Sequence, residues 1–372
     1  MFCGKCGTKI NEGDIFCTNC GTSICNENIA GNNNEAYDNN NLNYESKKIS
    51  LKGCYSVKNF SNGVAWIEVS YKHYSLINIF GNEIFNCMYD DVDDYSSHGY
   101  TIVKKQDGWL HSGVINKKGD TVVPLDYSYL EFCESNLARG YLNGNDLCYI
   151  DLRGKVVLNL KDYKQSWGFH DGLAGVENHS GKWGFINKEG KLVIDFLYDK
   201  ISTDGFSDGL AWVKKDKNWG AIDKLGDEVI PFEYEYVDSF NHGLASVRKK
   251  ISDSRNYIID KSGQIVIYDK KLSIGGFKDG FARVIDGEKE GLMDLRGNII
   301  VPCKYLTIDL FSEGLALVSK DLEFFGFINE KGEEVISTKY LGWLGSFHDG
   351  LAPFYIDNQW KYINKYEEII IE

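Results

Sequence analysis

Residues 206–234 read FSDGLAWVKKDKNWGAIDKLGDEVIPFEY. LAWV, WGAID and EVIPFEY are short runs rich in aromatic and aliphatic side chains, many of them β-branched, and the polar pieces KKDKN and KLGD divide them. Each run spans four to seven residues and ends at Gly, Asp, Asn or Lys, which is the pattern of strands joined by hairpins. The next segment, EYVDSF, supplies a possible fourth run. No apolar period of 3.6 residues is sustained, so the stretch reads as β structure. Four strands of about five residues and four turns of about four fill a period of about 36.

That period runs along the chain. FSNGVA at 60, FHDGLA at 169, FSDGLA at 206, FNHGLA at 240, FKDGFA at 277, FSEGLA at 311 and FHDGLA at 347 share one frame. Weaker copies stand at 95 (YSSHGYTIV) and 132 (FCESNLA), so nine anchors follow one another at 34 to 37 residues. A second anchor keeps the same beat: INIFG at 77, INKKG at 115, IDLRG at 150, INKEG at 186, IDKLG at 222, IDKSG at 259, MDLRG at 293 and INEKG at 328. A ninth copy, INKYE at 363, lacks the glycine. Self-similarity of this kind marks a repeat architecture.

FHDGLA occurs twice without change, at 169–174 and 347–352, and a recurring His-Asp pair is either a duplicated dyad or a recurring turn. The other copies put Ser, Asn or Lys in place of His, and His, Glu or Asn in place of Asp. Only the leading aromatic, the glycine and the apolar-Ala pair persist. The turn reading follows: glycine supplies positive φ, and Asn or Asp before it tolerates the same geometry. No chemistry is expected of His170 or Asp171.

A single unit of three or four strands cannot bury its own apolar face, so units must stack. Stacking in a ring gives a β-propeller, and stacking in a line gives a superhelical array with capped ends. The expected fold is therefore all-β: about nine antiparallel meanders of about 36 residues, arranged as a β-propeller, with an open superhelical β-repeat array as the alternative. Nine exceeds the usual four to eight blades.

The phrase KWGFINKEGKLVI at 182–194 resembles the WG-repeat proteins, usually bacterial. The resemblance extends over 51–372, closest at 169–245 and most degenerate at 87–160. It implies a chain of short antiparallel β units that bind or support, with no assigned activity. Trp183-Gly184 and Trp219-Gly220 keep the literal dipeptide, while Tyr74-Ser75, Phe325-Gly326 and Trp360-Lys361 retain bulk without identity. Core packing explains that drift better than sugar stacking.

Ahead of the repeats, residues 3–20 read CGKCGTKINEGDIFCTNC. Cys3 and Cys6 form one CxxC, Cys17 and Cys20 a second, and a glycine follows each. Two thiolate pairs on tight turns supply a closed tetrahedral Cys₄ set for one structural Zn²⁺. So short a stretch has no core of its own, and metal binding would provide its folding free energy, about 10–16 kcal/mol in comparable peptides. Residues 1–24 resemble the small zinc ribbons found at the N-termini of many bacterial proteins. Residues 25–50 are crowded with asparagine and nearly free of large aliphatics, as expected of a flexible linker. Cys25 reads as a bystander; Cys54, Cys87, Cys133, Cys148 and Cys303 read as small buried hydrophobes.

Composition narrows the functional classes. The chain has 372 residues, 41 basic against 54 acidic, for a net charge of −13. That balance opposes broad contact with nucleic acid or anionic lipid. No window approaches the roughly 20 apolar residues of a membrane span, and MFCGKC opens no signal-like segment, so a cytoplasmic location is expected. The ten cysteines then read as reduced thiols or metal ligands. No phosphate loop or HExxH is present, and no enzyme is expected. The expected role is a non-enzymatic binding or scaffold protein with a protein partner, one with basic patches, and with the ribbon as second contact. Carbohydrate binding through aromatic turns is the alternative.

Overall fold

The computed structural model describes residues 48–372, apart from 97, 135, 143, 145, 251–255 and 342–343. They form nine successive antiparallel meanders in which neighbours in sequence are neighbours in the sheet. Unit 5, the stretch quoted above, consists of Lys200–Ser207, Leu210–Lys215, Asn218–Asp223 and Glu228–Tyr234. Unit 1 begins at Ser56–Val57 and ends at Glu83–Cys87. Units 2 and 3 merge because one strand, Thr121–Cys133, closes the first and opens the second. Unit 9 carries three strands, Leu351–Ile356, Gln359–Asn364 and Ile369–Ile371. Its opening strand is reduced to a bridge between Leu344 and Phe354.

The first anchor is a two-residue hairpin. Ser207 pairs with Leu210, and the residues between them, Asp208 and Gly209, have φ of 53° and 85°. Positive φ at both central positions defines a type I′ turn, whose twist matches the flanking strands. Asn62, Asp171, His242, Asp279, Glu313 and Asp349 occupy the same left-handed position. The second anchor is an Asx turn. In unit 5 the Asp223 carboxylate accepts from the Leu225 and Asp227 amides, and Asn116, Asp260, Asp294 and Asn364 do the same in their units. Glu367, at φ 62°, stands where the ninth copy lacks glycine.

The second and third strands each carry two or more buried residues, mostly in one run, and Leu173–Glu177 is buried throughout. A strand buried on both faces needs a neighbouring sheet on each side. These joints appear as nine apolar clusters, each drawing on two successive units. A linear stack of nine has only eight such joints. The ninth joins unit 1 to unit 9, through Val57, Phe60, Ile67 and Ile77 on one side and Leu351, Tyr362 and Ile371 on the other. The array is therefore a closed ring, the β-propeller expected, with nine units.

The closing joint repeats the internal ones. Phe206 meets Phe185 of the preceding unit at 4.9 Å, Phe347 meets Phe327 at 4.7 Å, and Phe60 meets Tyr362 at 4.9 Å. The acid of one hairpin accepts from the glycine amide of the next: Asp171 from Gly209 at 2.8 Å, Asp208 from Gly243 at 2.7 Å, Glu313 from Gly350 at 2.9 Å. Across the closure Asp349 accepts from Gly63 at 2.7 Å.

The glycine of Trp-Gly has a different cause. A Cβ built on Gly184 would lie 2.5 Å from the Ile194 carbonyl oxygen on the fourth strand. At Gly113, Gly220, Gly291 and Gly326 the corresponding carbonyl would lie at 2.3 to 2.8 Å. In these five units the fourth strand is long: Leu192–Tyr198, Glu228–Tyr234 and Ile299–Tyr305 have seven residues, Glu334–Leu341 has eight, and Thr121–Cys133 runs on. Where Ser75, Cys148, Tyr257 or Lys361 replaces the glycine, the fourth strand has five residues or fewer. The glycine lets the last strand lie closely over the third.

Candidate interaction surface

The expected zinc ligands Cys3, Cys6, Cys17 and Cys20 lie outside the described residues, as do Cys25 and residues 26–47 of the linker. Among the described residues no group of three or more His, Cys, Asp or Glu side chains is placed to hold a metal.

The two FHDG turns belong to units 4 and 9 and do not converge on one pocket. Asp171 accepts the Gly209 amide, and the Lys224 ammonium lies 3.8 Å from it. The His170 imidazole is 3.9 Å from Glu134, while His348 pairs through its backbone with Leu351. Both pairs serve as hairpins.

The remaining thiols are free. Cys148 is buried as expected; Cys54, Cys87, Cys133 and Cys303 are half-buried, each at the rim of a cluster. Burial pushes the Cys133 thiol up to about 11 and the Cys87 thiol up to about 12. Both stay protonated, and hence weakly nucleophilic, at neutral pH.

Most tryptophans pack as expected. Trp66, Trp183 and Trp212 are buried at joints, with Trp183 stacked on Trp167 at 5.7 Å. Arg139, also buried, lies 5.4 Å from both the Trp167 and Tyr129 rings and pairs with Glu131 at 2.6 Å. That charge is compensated within its joint.

Trp109 departs from this rule: it is 82 % exposed. It lies at the tip of the hairpin between Tyr100–Gln106 and Leu110–Asn116 of unit 2. Tyr71, 68 % exposed, occupies the matching hairpin of unit 1. Met88, 73 % exposed, follows the last strand of unit 1, and Tyr55, 63 % exposed, precedes its first. Antiparallel order places all four at one end of the ring. Contacts between the units hold them there: Asp90, two residues past Met88, pairs with Lys72 and accepts the Gln106 amide at 2.5 Å. Those two bonds hold the half-buried Asp90 carboxyl below its ordinary pKa, the Lys72 bond first. Lys104 braces the same junction, 2.9 Å from Asp91 and 2.7 Å from Asp93. Exposed large apolar side chains grouped in this way mark interaction surfaces. The sequence signal for Trp109 was an aromatic directly after the turn pair Asp107-Gly108, where Gly181 and Gly287 in the hairpins of units 4 and 7 are followed by Lys182 and Glu288.

No helix among the described residues is long and apolar enough to cross a membrane. Comparison with curated proteins found no match. Among solved structures, BamB from Moraxella catarrhalis is similar at 10 % identity and a TM-score of 0.41, over 72 % of this chain and 93 % of that one. A eukaryotic initiation factor is similar at 12 % and 0.47, over 87 % and 88 %. The C-terminal WD40 domain of Sif2 is similar at 8 % and 0.42, over 76 % and 97 %. Likeness at this level carries no argument about function, and ring closure rests on the nine joints. A zinc-ribbon domain model matches residues 2–24. The model of the WG containing repeat matches 74–109, 113–145, 149–183, 183–219, 219–250, 291–321 and 325–360. With well over half its length matched, and with a Trp-Gly glycine wherever the last strand crosses the third in full, this chain belongs to the WG containing repeat family.

Proposed function

We propose that the chain is a non-catalytic binding scaffold that engages a protein partner through the Tyr55, Tyr71, Met88 and Trp109 end of units 1 and 2. The observation that carries this reading is the concentration of these four exposed side chains on adjacent units. Large aromatic and thioether groups of this kind dominate protein recognition once they are desolvated. The net charge of −13 favours a partner with basic patches.

The N-terminal ribbon is the second contact in this proposal. Its four thiolates, Cys3, Cys6, Cys17 and Cys20, suit one structural Zn²⁺ by donor type and number. Bound metal would order that segment, and the linker would then raise the effective concentration of one contact once the other has formed. We place the protein in the cytoplasm, where reduced thiols persist.

The test is capture by the full chain, wild type against a Trp109→Ala/Tyr71→Ala variant. Leu225→Ala, an exposed residue (81 %) on the hairpin of unit 5 at the other end, is the control. A reproducible partner should be lost in the first variant and kept in the control. Equal recovery with all three proteins refutes the assignment. The exposed rings also favour a second reading, glycan binding, which a glycan array without hits would dispose of.

A further inference from the structure

Unit 6 departs from the frame in a way that opens a cleft. Its third strand, Tyr257–Asp260, carries Tyr257 where the Trp-Gly units have glycine. The last strand then stops at Ile265–Ile267, and the Asp269 carboxylate caps a turn by accepting the Lys271 and Leu272 amides at 2.7 and 3.0 Å. The Tyr257 ring stacks on Tyr268, 5.0 Å away at 17°. What remains between this sheet and Tyr234, the last strand residue of unit 5, is a cleft of about 340 Å³.

Its walls combine two chemistries. Tyr234, Val247 and Ile259 are buried and form an apolar floor, and Ile265, 55 % exposed, stands at one side. Lys249 and Lys250 line the same cleft. Lys249 is held 2.8 Å from Glu233 and 5.9 Å from the Tyr234 ring. Among the described residues Lys250 has no carboxylate partner. An apolar hollow of this volume accepts a large side chain, and cations at its edge favour a carboxylate next to it.

We propose that the cleft binds an extended peptide segment that places an acidic residue beside a large apolar one. The apolar side chain fills the space between Tyr234 and Ile265, and the neighbouring carboxylate pairs with Lys250. This site lies four units beyond the Trp109 surface and does not depend on it. Its ligand carries the charge opposite to that of the partner proposed for the ring as a whole.

The experiment uses the full chain and fluorescent capped peptides of sequence GDEFEDG, GDEAEDG and GKKFKKG, followed by anisotropy. The acidic-aromatic peptide should bind and the other two should bind at least tenfold more weakly. Lys249→Ala/Lys250→Ala should weaken it about tenfold, and Ile265→Glu, an exposed change, should do the same by charge repulsion. Circular dichroism establishes that each variant is folded, and Trp109→Ala should leave the titration unchanged. Equal binding of all three peptides, or indifference to both cleft variants, overturns the proposal. Tighter binding after Tyr37→Ala/Tyr44→Ala in the linker would show that the chain's own acidic-aromatic segment fills the cleft, and would overturn an external ligand. Release of a dimer by the peptide would do so in favour of a second copy.

Discussion

Replacing Gly184 by alanine tests whether the Trp-Gly glycine is set by the strand that crosses it. The new Cβ would lie 2.5 Å from the Ile194 oxygen, 0.9 Å inside the 3.4 Å at which ordinary contact begins, and 3.1 Å from the Asp195 backbone. All the close atoms are backbone, so no flexible side chain can yield. The last strand must retreat, pulling on the Trp183–Tyr198 and Phe185–Ile194 pairs and on the Tyr198 ring buried in the joint with unit 5. Overpacking of this kind costs about 1–3 kcal/mol. Gly184 is not at positive φ, so alanine recovers about 0.4–1 kcal/mol by restricting the unfolded chain. The net loss is about 1–2 kcal/mol, a fall in Tm of about 1.5–3 °C, since roughly 2.1 cal/mol/K per residue over a ring of this size gives about 1.5 °C per kcal/mol. Gly275→Ala is the matched control, since its Cβ would meet only the Arg283 oxygen at 3.5 Å and its φ is also ordinary. Calorimetry should find that control neutral or slightly stabilised. If Gly184→Ala melts with wild type, or Gly275→Ala falls as far, the account of the motif is wrong.

Three further outcomes follow. Metal analysis of freshly reduced full chain should find one zinc, lost in Cys17→Ser, with the main thermal transition of the ring unmoved because the described residues 49–371 suffice to build all nine joints. Ile371→Ala should lower stability by about 2–5 kcal/mol, as for other buried aliphatic truncations, because Ile371 is fully buried in the closing joint; denaturant unfolding measures it. Burial raises the Asp309 pKa, with Arg283 opposing. Between the ordinary carboxylate pKa of about 4 and this higher value, the folded chain holds a proton that the unfolded chain has lost. That contribution to stability fades as pH rises through the window, so Asp309→Asn should gain in Tm over wild type at pH 7 and show little difference near pH 4. A constant difference across that range would contradict it.

The unit itself was legible because its determinants are local. Hairpin glycines, Asx residues and alternating apolar runs act within a few positions, so 206–234 alone gave the meander. The hairpin acid was not legible: Asp171 seemed a freely variable position because its acceptor role is toward Gly209, 38 residues away. Closure was equally hidden, since ring and open array share the same eight internal joints and differ only at unit 1 against unit 9. Of the surface, Trp109 was missed because a tryptophan in a Trp-rich repeat reads as core until its hairpin is built. The drift of the Trp-Gly glycine to Ser75 and Lys361 was visible, but its meaning required the shortened strand opposite.

Among the described residues unit 9 draws its strands from its own stretch, 351–371, and its seal with unit 1 is a side-chain joint. The Tyr362 hydroxyl donates to the Lys58 carbonyl across a sequence separation of 304 residues. During synthesis, Phe60 and Ile67 must therefore wait for Tyr362 and Ile371 until the last hairpin of unit 9 has emerged from the ribosome. Until then that flank of unit 1 lacks its unit 9 partners, and whatever shields it in the meantime acts before the ring has closed.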